Sequence, residues 1–440
     1  MSKDIAILGG GLNGMVCAYF LSRLGHRVTI YEQSNQLGGL AAGFPLNGTS
    51  LEKAYHHIFT TDSHIIDLVK ELGIEDSLLW HKGSIGLFYD KVLYPFMSPR
   101  DLLLFKPLPI LDRIRLGLVV LYLQKTRNWK KYVNVTASDW MKSCSGKRGF
   151  QVIWEPLLRG KFHEQYDKVS MAWLWARIHT RANSRTKDIT QETLGYFKGG
   201  FQVIVTALSD MLHRQGVEVN LSSPVQSIQY DHQSKKILVA QANVQRRYDR
   251  VICTIPSSVF SRLIARNDSV TEDYKRSLES ISYLHAVCVI FTSKQKLTDY
   301  YWNNVNDLNS PFLAFICHTN LVDRSLYKDE EVYYLGTYLP DGHRYLDMPE
   351  DSLIDEWFYY LNSIFPEFDI EGVTARHIFR LRHAQHVVDK NYLKKMPSYQ
   401  TPIPGVFLAN FSQIYPEDRG TNFAVKQAKE VSALVINSLA

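Results

Sequence analysis

An α/β fold built on a parallel sheet with a nucleotide-binding edge is what this 440-residue sequence predicts, and three observations carry the prediction. The apolar run Asp4-Ile5-Ala6-Ile7-Leu8 passes directly into Gly9-Gly10-Gly11-Leu12-Asn13-Gly14. A helical apolar pattern and a second apolar run follow, and that run closes on Glu32. Two later blocks, Gly199-Gly200-Phe201-Gln202 and Gly405 to Asn410, each precede a long helical pattern.

Asp4 to Leu8 has the unbroken apolar character of a parallel strand buried on both faces. The glycine run is a GxGxxG in the context that gives it meaning: Gly9 makes the tight turn, Gly11 lets backbone approach a pyrophosphate, and Gly14 lets the next helix pack closely. Free N–H groups at that helix's start face the phosphate, which puts Leu12 and Asn13 in the candidate cofactor-binding set. Met15, Ala18, Tyr19 and Leu21 to Leu24 give the helix its apolar face and Gly25 ends it. Val28 to Tyr31 is the second strand. Glu32, with Gln33 beside it, stands 18 residues after Gly14, where a carboxylate can bind the adenosine ribose hydroxyls. Strand, helix, strand and terminal acid together favour a dinucleotide site over a glycine-rich structural turn.

Length allows two or three domains with a substantial core. Hydrophobic residues at 45% and charged residues at 21% exclude a disordered chain or a coiled coil. Aromatic residues reach 12%, which suits either a planar or apolar ligand or simple core filling. A net charge of +6 argues against nucleic acid as a partner and leaves an anionic ligand or a membrane surface open. The five cysteines, Cys17, Cys144, Cys253, Cys288 and Cys317, have neither disulfide-framework nor zinc spacing, so no metal is expected and a reducing cytoplasm is the simplest home. Ile5 to Leu8 is too short for a signal-peptide core, and no apolar window is long enough to span a bilayer. The nearest, Ile114 to Leu123, is flanked by Arg113, Lys125 and Arg127 and reads first as a buried helix, with interfacial contact at the inner face of the membrane as the alternative.

After Gly200, Val203, Ile204, Ala207, Leu208, Met211 and Leu212 share a helix face that Gly216 ends. Strands are expected at Val217 to Val219, Val225 to Ile228, Asp249 to Ile255, Gly405 to Asn410, and at 283 to 292, 312 to 317 and 332 to 338. Helices are expected at Ser352 to Ile364 and Phe423 to Leu439.

Glu32-x5-Gly38-Gly39 after the fingerprint resembles the FAD-binding N-terminus of the flavin amine oxidase, phytoene desaturase and protoporphyrinogen oxidase superfamily. The resemblance implies a Rossmann-like, glutathione reductase-like FAD-binding domain assembled discontinuously from 1–80, 195–265 and 395–440, with an inserted α+β substrate-binding domain at 81–194 and 266–394. It implies that Gly38 and Gly39 lie against the ribityl and phosphate region, with Leu40 where many members have Arg. It also implies backbone contact of Val225 with adenine, and a last helix whose start, at Gly420, Thr421 and Asn422, meets the flavin ring. Asn410 stands where many relatives have Asp.

For chemistry, Tyr55-His56-His57-Ile58-Phe59 follows the glycine pair, and its His57-Ile58-Phe59, followed by Thr60 and Asp62, resembles a segment of UDP-galactopyranose mutases in which a His lies beside the flavin. In a strand the two histidines would face opposite ways, leaving His57 as the candidate proton shuttle or, equally, a structural hydrogen-bonding group. Arg159, Lys161, Arg177 and Arg181 lie among tryptophans, and Arg382 shares a strand face with Arg380; with Tyr415 these are candidate substrate-binding residues, though a solvated basic face is the competing reading. Absence of a second GxGxxG excludes a separate nicotinamide domain, and Asp418-Arg419-Gly420-Thr421, where amine oxidases carry an aromatic, disfavours an amine substrate. The resemblance implies an FAD-dependent oxidoreductase moving a hydride between substrate carbon and flavin N5. The Ile414 to Asn422 block resembles relatives associated with surface-glycan genes, which implies an anionic small-molecule or lipid-linked substrate, a sugar nucleotide or lipid-linked sugar. A mutase without net redox and a non-catalytic FAD-retaining scaffold are the alternatives.

Overall fold

The computed structural model describes residues 2–184, 192–242 and 244–439. Asp4–Leu8 is apolar because it is central: it pairs in parallel with Arg27–Tyr31 on one side and Arg250–Cys253 on the other, and Ile5, Ala6 and Ile7 are fully buried. Glu218–Asn220 extends the sheet beyond Arg27–Tyr31, and Val406–Leu408 extends it beyond Arg250–Cys253, all in parallel. Five strands from three separated stretches of chain therefore share one sheet. The first helix, Leu12–Arg23, packs against Gln202–Arg214 and the C-terminal helix, Thr421–Asn437.

Ser227–Asp231, Lys236–Ala240 and Gln245–Tyr248 form a small antiparallel meander beside it. A seven-stranded mixed sheet takes its strands from Ile85–Tyr89, Val92–Pro95, Tyr283–Ser293, Trp302–Val305, Ala314–Cys317, Glu331–Leu339 and Val373–His386. Its one face is covered by Glu350–Ile364, whose Leu353, Trp357, Phe358 and Leu361 recur at helical spacing in the core. A helical layer between Pro99 and Asn183 packs around Trp173, Phe162 and Trp175.

Element types follow the sequence expectations, with shifts at the ends. The C-terminal helix starts at Thr421 and ends at Asn437, and the strand expected from Val225 begins at Ser227, leaving Val225 in the preceding loop. One expectation is corrected. The helix around Ile114 to Leu123 runs from Ile110 to Lys125 and buries only Leu116, Val119 and Leu123; Val120 is half-buried, and Ile110, Leu111, Ile114, Leu118, Leu121 and Tyr122 face outward. Among the described residues no helix is long and apolar enough to cross a membrane.

A buried carboxylate ties the sheet layers. Glu52, 1% exposed at the end of Thr49–Glu52, accepts from Tyr196 Oη at 2.7 Å and from the Phe201 amide, and burial raises its pKa to about 7. Gly200, at φ 76°, is required beside it, since a Cβ there would lie 2.7 Å from Ser50 O. Glu52→Ala strands both donors and should lower stability by about 1–3 kcal/mol in urea denaturation. Between pH 4.5 and about 7 the folded chain holds a proton that the unfolded chain has released, so the Glu52 contribution declines as pH rises through this window. Glu52→Gln should abolish that slope.

Candidate functional site

The nucleotide cradle is made of backbone. At the end of the first strand Gly9 takes φ 111°, and a Cβ on Gly14 would stand 2.0 Å from Gly9 O, so helix and loop meet only because position 14 has no side chain. The Gly38 amide donates to Gly10 O at 2.8 Å, and a Cβ on Gly39 would lie 3.0 Å from Gly11 Cα. No side chain caps the first helix at Gly11, so its leading amides remain available to an anion. The Glu32 carboxylate sits at the tip of the second strand, accepting from the Gly10 amide at 2.6 Å and from Ser34 N and Oγ at 2.8 Å. The Ser222 and Ser223 amides donate to Ser34 O and Glu32 O, which lays the loop carrying Val225 alongside this edge. Gln33 is exposed and Leu12 is buried. An open, side-chain-free groove with a carboxylate at its ribose end fits a dinucleotide such as FAD.

Three asparagines expected at the cofactor have other work. Asn13 Nδ2 donates to Ala409 O at 3.0 Å and Gln427 Oε1 at 2.7 Å, tying the first helix to the C-terminal segment. Asn410 donates to Ile255 O and Ser257 Oγ and accepts from the Ser412 amide. Asn422 Oδ1 accepts from the His64 and Ile65 amides, capping the helix Ser63–Glu71 from outside while still bordering the cavity described next. These side chains hold the frame in which the start of the C-terminal helix, with Gly420 and Thr421, faces the groove's far end.

There a cavity of about 200 Å³ opens between the mixed sheet, the helical layer and the start of the C-terminal helix, bordered by Leu40, Tyr55, Trp302 and Tyr338. His56 and His57 both border it, contrary to the alternation expected, because the regular strand begins only at Ile58. His57 Nδ1 lies 3.3 Å from Tyr301 Oη. Burial, assisted by Arg181, His56 and Arg177, lowers its pKa to about 3, and burial brings His56 to about 4. Burial thus favours the neutral form of both rings. Asp62, also on the wall, is raised to about 6 by burial.

The charged wall is assembled from three distant segments. On Glu155–Phe162, Leu157 and Lys161 are four residues apart and face inward; on Met171–Asn183, Arg177 and Arg181 do the same. Asp418 and Arg419 arrive from the stretch before the C-terminal helix. Asp418 Oδ2 accepts from Lys161 Nζ at 2.5 Å and Arg177 Nη1 at 2.9 Å, and Oδ1 accepts from Trp173 Nε1 at 3.3 Å. Arg419 Nη2 donates to Tyr338 Oη at 2.8 Å, while its buried Nε has no partner among the described residues. Burial opposes ionisation of Asp418, but Lys161, Arg177 and Arg419 outweigh it and hold the carboxyl far below the usual range. Burial brings Lys161 down to about 7 despite that partner, and the nearby positive charges of Arg177 and Arg419 add to the lowering. Arg181 sits with its guanidinium 5.4 Å over the Trp302 ring.

Three expected substrate contacts are corrected. Arg159, two residues before Lys161 on the helix, points away, pairing with Glu155 at 2.9 Å and covering the Tyr166 ring. Arg382 is 60% exposed and faces Asp341 and Asp347, because Leu381, its strand neighbour, is the residue directed to the cavity. Tyr415 Oη bonds Ser170 Oγ at 2.9 Å in the helical layer. The sequence reading missed Asp418 and Arg419 as site charges; their signal was an acid and a base adjoining the glycine that starts the last helix.

Replacing Asp418 by Asn should leave buried cations without a counter-charge and cost about 3–5 kcal/mol in denaturant unfolding of the FAD-loaded protein, and adding Lys161→Met should recover part of the loss. An Asp418→Asn variant as stable as wild type contradicts the arrangement. Glu32→Ala should raise the FAD dissociation constant about tenfold, read from the flavin absorbance retained after desalting.

Residues 12–436 match the family described as flavin containing amine oxidoreductase. The coproporphyrinogen III oxidase of Staphylococcus aureus (strain NCTC 8325 / PS 47) is 23% identical over 312 residues, covering 64% of this chain and 66% of that protein, so the chain spans just under two thirds of that relative's length. The chloroplastic/chromoplastic zeta-carotene desaturase of Arabidopsis thaliana is 23% identical over 92% of this chain and 80% of its own. A reduced UDP-galactopyranose mutase shares the fold, with a TM-score of 0.77 at 16% identity over 100% of this chain and 96% of that one. The chain belongs to the flavin containing amine oxidoreductase family, whose cofactor is FAD.

Proposed function

We propose that this protein is an FAD-dependent oxidoreductase that moves a hydride to or from a carbon of a small anionic substrate, a sugar nucleotide or lipid-linked sugar being the preferred class. One observation carries the reading: on the cavity wall Lys161 and Arg177 share the single carboxylate of Asp418, while Arg419 bonds only Tyr338 Oη and its buried Nε has no acceptor among the described residues. Such a cluster is short of negative charge, and a phosphate or carboxylate supplies it. Segments 1–80, 195–265 and 395–440 would hold the cofactor, and 81–194 and 266–394 the substrate.

Bound FAD supplies a two-electron hydride acceptor or donor. The chain supplies the rest. Glycine-loop amides and Glu32 hold the dinucleotide, and the N-terminal end of Thr421–Asn437 places positive helix-end charge at the cavity. Arg177 and Arg419 orient the anion; Tyr338 and Trp302 cover its less polar face and exclude water. His57, held neutral and anchored at Tyr301, acts as a hydrogen-bonding group toward the reacting carbon's substituents.

Anaerobic mixing with anionic candidates should bleach the oxidised flavin, and turnover confined to pre-reduced enzyme without net oxidation would replace this reading with a mutase. Arg419→Met should raise KM about ten- to a hundredfold with FAD retained, and His57→Ala should lower kcat, Gln partly restoring it. Lys161 is protonated below its lowered pKa of about 7, so anion affinity should fall as pH rises through that value, and Lys161→Met should flatten the profile. A wild-type profile flat across pH 6 to 8 excludes Lys161 from anion binding.

A further inference from the structure

We propose that the outward face of Ile110–Lys125, with Leu103 and Leu104 beside it, is the surface by which this protein docks on an anionic lipid bilayer. Exposed large apolar side chains are concentrated in one stretch of the chain. Among the described residues eighteen are exposed, and eight of them fall between positions 103 and 122: Leu103, Leu104, Ile110, Leu111, Ile114, Leu118, Leu121 and Tyr122. Leu111 is 76% exposed, Leu118 61% and Leu104 60%, so these are protruding side chains rather than edges of the core. At 3.6 residues per turn, positions 110, 111, 114, 118, 121 and 122 occupy one arc of roughly 120°, while the buried Leu116, Val119 and Leu123 lie on the opposite arc. The helix is thus satisfied by the protein on one side and presents a second apolar stripe to the outside, an arrangement that marks an interaction surface.

Charge selects the occupant. Residues 100–131 contain eight basic side chains, Arg100, Lys106, Arg113, Arg115, Lys125, Arg127, Lys130 and Lys131, against two acids, Asp101 and Asp112. That surplus of six equals the +6 of the whole chain, so the net positive charge of the protein resides in the segment that bears the apolar stripe. All but Arg113 among these basic residues are exposed. An apolar stripe bordered by Lys and Arg is the pattern that inserts at the headgroup boundary of an anionic leaflet, whereas a contact between two copies would set the two basic rims against each other. The location also has a consequence for the cavity. Ile110–Lys125 packs on Met171–Asn183, where Gln124 Nε2 donates to Ala182 O at 3.3 Å, and the other side of that helix carries Arg177 and Arg181 into the cavity. Docking by this face sets the cation wall one helix away from the lipid surface.

The test is flotation of the FAD-loaded full chain with vesicles of phosphatidylcholine alone and of phosphatidylcholine containing about one third phosphatidylglycerol. Wild type should float with the anionic vesicles and not with the neutral ones, and binding should weaken with added salt. Leu111→Asp combined with Leu118→Asp should reduce binding at least tenfold, with flavin content and melting temperature unchanged because both side chains are outside the core; Lys125→Glu with Arg127→Glu should do likewise. Failure to bind anionic vesicles overturns the proposal. So does a concentration-dependent dimer in size-exclusion chromatography that the double aspartate variant abolishes, since a second copy would then cover the face.

Discussion

Two glycine loops that touch backbone to backbone set the geometry on which everything else rests. Gly10 O receives the Gly38 amide, Gly39 lies within contact of Gly11, and Gly14 approaches Gly9 O more closely than any side chain permits. A Cβ fits neither on Gly14 against Gly9 O nor, without a shift, on Gly39 against Gly11, so backbone amides line the carboxyl edge of a sheet whose central Ile5, Ala6 and Ile7 are fully buried. Thr254 Oγ1 donates to Gly9 O from the adjacent strand, and Asn13 reaches Ala409 O, so the second and third chain segments are registered against the same loop. An error in this crossing would displace both later segments, and with them the start of the C-terminal helix.

Distance in sequence and closeness in space meet again at Asp418. Lys161 and Arg177 come from two helices of the helical layer, while Asp418 and Arg419 come from the loop that leads into the last helix. A buried ion cluster of this kind contributes little net stability, because desolvation offsets most of the attraction, yet losing one member is costly. Its value to the molecule is positional: it locks the approach to the C-terminal helix against the helical layer and at the same time keeps cationic groups dehydrated at the cavity. Dehydrated cations bind anions more strongly than solvated ones, since less hydration has to be removed on binding.

What could be read from the residues divides along the range of the interactions. The Asp4 to Glu32 unit was legible because strand burial, glycine steric demands and helix periodicity are local and mutually reinforcing. Long strands such as Tyr283–Ser293 were legible for the same reason. Alternation misled where the backbone departs from a regular strand. His56 and His57 precede the strand and both face the cavity, and His383, at φ 52°, breaks the phase of Val373–His386 so that Leu381 and Ala384 point inward together. Arg159 and Lys161 looked equivalent in sequence, but two residues along a helix is about 200° of rotation, and only one could join the wall. Asn13, Asn410 and Asn422 stood at positions expected to touch the cofactor, yet their side chains bond protein groups between segments, contacts that no local pattern reveals.

The distribution of charge separates the two cation-rich regions physically. Outside residues 100–131 the basic and acidic side chains balance, so no long-range positive field of the whole protein draws anions toward the cavity. Cationic character there is local: Lys161, Arg177 and Arg419 gather around the one carboxylate of Asp418, and Lys161 is only 5% exposed. Around Ile110–Lys125 the opposite holds, with exposed Lys and Arg acting through solvent over a screening length of about 8–10 Å. Salt therefore weakens attraction at the exposed rim far more than inside the cavity, where few ions enter and the groups are held at fixed separation. On the proposed reading, a local preference for an anionic group at the cavity and a screenable charge on the docking face act independently of each other.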